Sequence, residues 1–176
     1  MIAAVVLAAG ASTRFGSPKQ AVLLAPVLER VRQSPAIRDI VVVLGAHEVD
    51  TDTRTVHCPD WELGPGASLR CGLAALGPEV EAAVVVLADG PRLDPRAIDR
   101  VVARWRAEGG ERAAATYGGV RLHPVLLSRS AWTDIPDAGL REVPARRVPC
   151  DDLDPPGDVD SADDWSEEGW PHPRGE

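Results

Sequence analysis

An α/β fold with a mainly parallel sheet is predicted by three features of the sequence. Apolar runs of strand length recur along the chain, the most prominent at residues 2–8, 40–44 and 82–88. All three are rich in Val and nearly free of polar residues, as strands covered on both faces are. Segments with helical spacing alternate with these runs, which favours parallel neighbours joined by crossover helices.

The first run, Ile2-Ala3-Ala4-Val5-Val6-Leu7-Ala8, has the apolarity of a secretory core, but no Lys or Arg precedes it. The basic segment of such a signal is therefore missing, and a buried strand is the expectation. No other apolar run approaches the length of a membrane span. Residues 20–33 carry Val22, Val27, Leu28 and Val31 at helical spacing. The second strand follows at 40–44 and a shorter one at 53–57. Leu69, Leu73 and Leu76 mark a helix over 68–76, ahead of the strand at 82–88. A further helix over 95–107 presents Ile98, Val101, Val102 and Trp105, with Asp94-Pro95 as its cap and first-turn pair. Residues 112–117 form the last run. Residues 1–165 read as a single domain, and 166–176, acidic and rich in Gly and Pro, as a loose tail.

The composition suits this architecture. The chain has 176 residues, 44% of them hydrophobic but only 4% aromatic, so Ala, Val and Leu must fill most of the interior. A formal net charge of −8 argues against a broad nucleic-acid or membrane-surface footprint. It leaves nucleotide binding open, because one phosphate group needs only a local patch of N–H groups and cations. Cys58, Cys71 and Cys150 form no CxxC pattern. They are expected to be reduced thiols of a cytoplasmic protein, with neither a disulfide nor a zinc site.

The most informative stretch follows the first strand: Leu7-Ala8-Ala9-Gly10-Ala11-Ser12-Thr13-Arg14-Phe15-Gly16-Ser17-Pro18-Lys19-Gln20. Small residues let a ligand approach the backbone, and N–H groups of a glycine-rich turn face anionic oxygens. Arg14 can fork two phosphate oxygens, and Lys19 can act as a mobile point charge. The spacing fits neither a P-loop nor a GxGxxG fingerprint nor a GxSxG elbow.

The loop resembles the signature of nucleotidyltransferases related to molybdenum-cofactor guanylyl- and cytidylyltransferases. Further segments resemble that family's motifs in the same order. They are Asp60-Trp61 with Gly64, Ser68-Leu69 and Gly72-Leu73; Leu87-Ala88-Asp89-Gly90-Pro91; His123-Pro124-Val125-Leu126; Asp137 with Gly139 and Arg141; and Asp158-Val159-Asp160 with Asp163. The resemblance implies a three-layer α/β/α, Rossmann-like fold of the nucleotide-diphosphosugar-transferase type. It also implies transfer of a nucleoside monophosphate from an NTP to a phosphorylated small-molecule acceptor such as molybdopterin, with Mg²⁺ or Mn²⁺ as cofactor. CTP is favoured, because Leu-Ala-Ala-Gly resembles the cytidylyl group more than the guanylyl group. A guanylyl or sugar-1-phosphate transferase of the same fold, or a nucleotide-binding relative without catalysis, is the alternative. A molybdoenzyme or its chaperone is the implied protein partner.

By the same resemblance, Leu7, Ala8, Ala9, Gly10, Ser68 and Gly72 line the nucleotide, and Arg14 and Lys19 hold the triphosphate and the departing pyrophosphate. His123, Asp137 and Arg141 lie at the acceptor. Asp89 follows the 82–88 strand, where open α/β sheets gather ligand groups, and its carboxylate suits a hard cation. It also starts strong turn chemistry with Gly90-Pro91. Asp160 is the second expected metal ligand, within a carboxylate-rich stretch that is otherwise solvated or capping. Ser68 could instead cap its helix and Gly72 allow close packing. Asp137 and Arg141 could form a local i,i+4 pair. The tryptophans read as core or rim packing. The chain departs from the family pattern in a shortened stretch after Gln20, in a short connection from Gly45 to Cys58, and in Cys58 where an Asn is usual.

Overall fold

Alternate residues of the central strand β1 (Ile2–Ala8) belong to two different cores. Ala3 and Val5 pack in one, and Ile2, Ala4 and Val6 in the other. This two-residue period is that of a strand buried on both faces, and it explains the unbroken apolar run. The computed structural model describes residues 1–10 and 19–158, the side chains of residues 19–21 excepted. Among these residues one sheet has seven strands: β1, β2 (Asp39–Leu44), β3 (Thr55–His57), β4 (Ala82–Leu87), β5 (Arg112–Tyr117), β6 (Val120–Ser128) and β7 (Arg146–Pro149). Their order is β3-β2-β1-β4-β6-β5-β7. β1 runs parallel to β2 and β4, β3 to β2, and β7 to β5; β6 runs antiparallel to both β4 and β5.

Among the described residues three α-helices complete the layers. α2 (Pro65–Ala74) lays Leu69 and Leu73 on the face bearing Val5, Val43 and Val85. α1 (Lys19–Arg32) and α3 (Pro95–Glu108) cover the other face, with Leu24, Val27 and Leu28 from the first and Ile98, Val101 and Val102 from the second. Asp94 caps α3, its side chain accepting from the Arg96 N–H at 2.9 Å. The three-layer, mainly parallel architecture is the one the sequence predicts. No helix among the described residues is long and apolar enough to cross a membrane.

Two strands go beyond the sequence reading, and two expectations need correction. β6 and β7 are strands that periodicity does not announce. Pro124 cannot donate to a ladder, and the chain accommodates it with an irregularity. Ala114 pairs with Val125 and Thr116 with Arg121, so one residue of β5 faces three of β6, Leu122 to Pro124. β7 is an edge strand with Val148 as its buried side chain, and its arginines give it the look of a loop. Helix α2 begins at Pro65 rather than Ser68, with Pro in its first turn and Gly64 as the capping residue, so Ser68 does not cap it. Finally, Cys58 and Cys71 are not separate thiols but are joined by a disulfide, with Cα atoms 5.7 Å apart. β3 carries the chain to Cys58, whose N–H donates to the Leu44 carbonyl at 2.8 Å, and α2 presents Cys71 opposite. Cys150 remains a buried free thiol. The expected tail at 166–176 lies outside the described residues.

Gly72 occupies the interface of α2 with the sheet. A Cβ there would lie 2.5 Å from Val5 Cγ1 and 2.7 Å from Val43 Cγ2. The residue thus sets how closely the helix sits on β1 and β2. Gly72→Ala is expected to lower stability by about 1–3 kcal/mol through overpacking, read as a lower urea midpoint at unchanged m-value. An unchanged midpoint would mean that the two valines yield at no cost.

Candidate active site

The strand order reverses at β1, which has β2 on one side and β4 on the other. In an open α/β sheet this is where a crevice forms beyond the carboxyl ends of the strands. Leu7 and Leu87 are partners in the β1–β4 ladder, so the chain leaves both strands side by side. β1 delivers Ala8 and Ala9, both buried, and then the exposed Gly10. The Ala9 carbonyl accepts the Ala46 N–H at 3.1 Å, and Trp61 packs directly against Gly45 next to that carbonyl. β4 delivers Asp89 in a tight turn, with Gly90 N–H donating to Leu87 O and Leu93 N–H to Gly90 O. The turn chemistry expected of Asp89-Gly90-Pro91 is therefore present at the end of β4.

A cavity of about 540 Å³ opens at this end of the sheet. Leu7, Leu69, Val85, Leu87 and Val125 give it apolar walls. Its polar groups are Asp89, Asp158, Arg121, His123 and Arg141. The structure thus brings Leu7 together with Asp89, His123 and Arg141, all singled out in the sequence. It adds Arg121 and Asp158, which sequence reasoning gave no role. Asp158 lay in plain view in the closing motif, two residues before Asp160. Arg121 sits two residues before His123, and nothing in its spacing marks it.

The other expected residues are placed differently. Ser68 is buried in the first turns of α2. Gly72 faces Val5 and Val43 in the helix–sheet interface. Asp137 pairs with Arg70 instead of Arg141, and it does not line the cavity. The local i,i+4 pair is therefore not formed, because Arg70 of α2 reaches the carboxylate first. Arg14, Asp160 and the side chain of Lys19 lie outside the described residues; Lys19 itself begins α1.

His123 is held in the cavity wall by the irregularity in β6. Its ring packs against Gly90, where a Cβ would come within 2.6 Å of Nε2 and 3.1 Å of Pro156 Cβ. Pro156 is fixed there by the Arg92 N–H, which donates to its carbonyl at 3.0 Å. Nε2 is buried without a hydrogen-bond partner among the described residues. Burial pushes the imidazole pKa down to about 4, against the upward pull of the nearby Asp89 carboxylate. Burial thus favours the uncharged ring at neutral pH.

Asp89 and Asp158 both line this cavity, and carboxylates are the donors that suit a hard divalent ion. No group of three or more His, Cys, Asp or Glu side chains that could hold a metal ion occurs among the described residues.

Comparison with known proteins bears on this arrangement. The family model of the MobA-like NTP transferase domain matches residues 4–149. No curated protein matches the chain. Among solved structures, the Rv0371c homologue from Mycobacterium sp. strain JC1 is 28% identical with a TM-score of 0.78, covering 95% of this chain and 94% of that one. Rv0371c of Mycobacterium tuberculosis H37Rv in complex with manganese is 27% identical with a TM-score of 0.72, covering 94% and 96%. Molybdopterin-guanine dinucleotide biosynthesis protein A of Archaeoglobus fulgidus has the same fold, at 18% identity and a TM-score of 0.69 over 95% and 96% of the two chains.

Proposed function

The chain belongs to the MobA-like NTP transferase family, and from that premise we propose that it transfers CMP from CTP to the phosphate of a molybdopterin-type acceptor. The observation that carries this reading is the cavity beside the β1–β4 switch point, which combines two carboxylates, two arginines and extensive apolar wall. In the reaction an oxygen of the acceptor phosphate attacks the α-phosphorus of the NTP. The bond between that phosphorus and the oxygen bridging to the β-phosphate breaks, and pyrophosphate leaves with the electron pair.

This chain's contribution is alignment and charge neutralisation. Leu7, Ala8, Ala9 and Gly10 receive the base and ribose, and Ser68 closes that side from α2. Arg14 and Lys19 neutralise the triphosphate and the leaving pyrophosphate. Asp89 and Asp158, with Asp160 as a further ligand, would hold Mg²⁺, or Mn²⁺ in its place. Such an ion supplies charge stabilisation on the phosphoryl oxygens. Arg141 receives the acceptor's phosphate, and His123 forms the cavity wall on the acceptor's side. A manganese complex of a 27%-identical relative supports a divalent ion as cofactor.

The apolar wall favours an acceptor with a flat ring body over a sugar 1-phosphate, whose hydroxyls need polar partners. Ala9, in the Leu-Ala-Ala-Gly sequence, favours CTP over GTP. The reaction belongs in the cytoplasm, where nucleoside triphosphates are supplied, with a molybdoenzyme or its chaperone as the recipient of the product.

Thermal denaturation with CTP, GTP, ATP, UTP and dTTP, each with and without Mg²⁺, tests the reading. A ligand at a hundred times its dissociation constant adds about 2.7 kcal/mol, or roughly 5–10 °C for a chain of this size. A Mg²⁺-dependent shift with CTP is expected. A shift with another NTP would change the base, and no shift with any would leave a relative that keeps the fold without the chemistry.

A further inference from the structure

Arg141 stands on a segment with little structure of its own, for residues 132–145 contain neither helix nor strand. Two internal hydrogen bonds shape it, Gly139 N–H to Pro136 O at 2.9 Å and Val143 N–H to Leu140 O at 3.1 Å. Such a segment cannot fix a guanidinium by itself, yet Arg141 reaches the cavity and has no ion-pair partner among the described residues.

The segment is pegged from both sides. At its near end Arg70 of α2 donates to the Ile135 carbonyl at 2.6 Å and pairs with the Asp137 carboxylate, while Gly66 N–H donates to Asp137 O at 2.9 Å. At its far end three main-chain carbonyls converge on one guanidinium. Arg121 Nη1 donates to Val143 O at 2.5 Å, and Nη2 donates to both Leu140 O and Arg141 O. Arg121 projects from β6 only two residues before His123, so one strand supplies both the imidazole and the peg. Its charge also lies in the cavity wall, where it favours an anionic ligand.

We propose that Arg121 is a positioning residue for the acceptor: by binding the carbonyls of Leu140, Arg141 and Val143 it holds the turn that aims Arg141 at the acceptor's phosphate. This rests on the transferase reading above. A planar fork with several fixed donors suits three converging carbonyls, whereas the single ammonium of lysine cannot engage all three in the same geometry.

The test uses the full chain as wild type, Arg121→Lys, Arg141→Ala and the double variant. Arg121→Lys keeps the charge and most of the stem, so its melting temperature should remain near that of wild type. Backbone amide exchange of the free protein should show lost protection at Gly139 and Val143 in Arg121→Lys. The KM for the acceptor should rise on the order of tenfold at unchanged KM for the NTP, as expected for loss of charge-assisted bonds. Because Arg121 acts through Arg141, adding Arg121→Lys to Arg141→Ala should cost nothing more. Unchanged exchange at those two amides, or losses that multiply in the double variant, would overturn the proposal. Absence of transfer by wild type with every NTP would instead overturn the transferase reading, and the exchange result would still decide whether Arg121 holds the turn.

Discussion

Asp89→Asn should reduce nucleotidyl transfer by on the order of a thousandfold while leaving the fold intact. The structural cost is small. Asp89 is half-exposed in the turn after β4, and the bonds that shape that turn run between the backbones of Leu87, Gly90 and Leu93. Asn has the same shape and is itself a good turn residue. What the substitution removes is a charge in the cavity that Asp158 shares. That charge would help to hold a divalent ion, which would supply stabilisation as negative charge shifts to the leaving pyrophosphate. Pyrophosphate release measured against Mg²⁺ concentration separates the cases. A large fall in turnover at saturating Mg²⁺, with an unchanged melting temperature in its absence, is the expected result. Equal activity of variant and wild type would remove Asp89 from the chemistry.

The sequence shows the central half of this fold clearly because there the local and global signals agree. β1, β2 and β4 are buried on both faces, so their unbroken runs of Val and Ala announce them. The helices announce themselves through one apolar stripe each. β6 stays hidden because it does two things at once. It completes the sheet, and through the irregularity around Pro124 it turns His123 and Arg121 into the cavity. A strand bent to serve a site loses the period that would reveal it. The site follows the same division. Asp89, His123 and Arg141 carry recognisable motif neighbours, and all three line one cavity. Arg70 and Arg121 escape notice because a lone arginine reads as a solvated surface charge, and only the folded chain shows main-chain carbonyls converging on it. Gly72 sits in a recognised motif, yet the contact visible in the fold is with Val5 and Val43.

Oxidised protein should melt at a higher temperature than protein held under thiol reductant, by roughly 10 °C. The Cys58–Cys71 bond closes a loop of sequence separation 13, and a crosslink of that span removes about 3 kcal/mol of unfolded-chain entropy. The loop contains the Trp61–Leu63 turn, Gly64 and most of α2, with Trp61 packed beside Gly45 and Ala9 and Leu69 in the core with Val5 and Val43. Opening the bond therefore loosens the side of the crevice nearest the end of β1. Thiol titration in denaturant should find one reactive group in the oxidised chain, Cys150, and three after reduction. Cys71→Ser is the decisive variant. Cys71 is only half-buried, so the hydroxyl is tolerated, and the variant should melt at the reduced protein's temperature whatever the redox state. Three thiols without reductant, or equal melting temperatures in both states, would restore the separate thiols expected from cysteine spacing alone. In a reducing compartment the pair opens. The same comparison repeated with the NTP that gives the largest thermal shift then measures how far nucleotide binding depends on the link between β3 and α2.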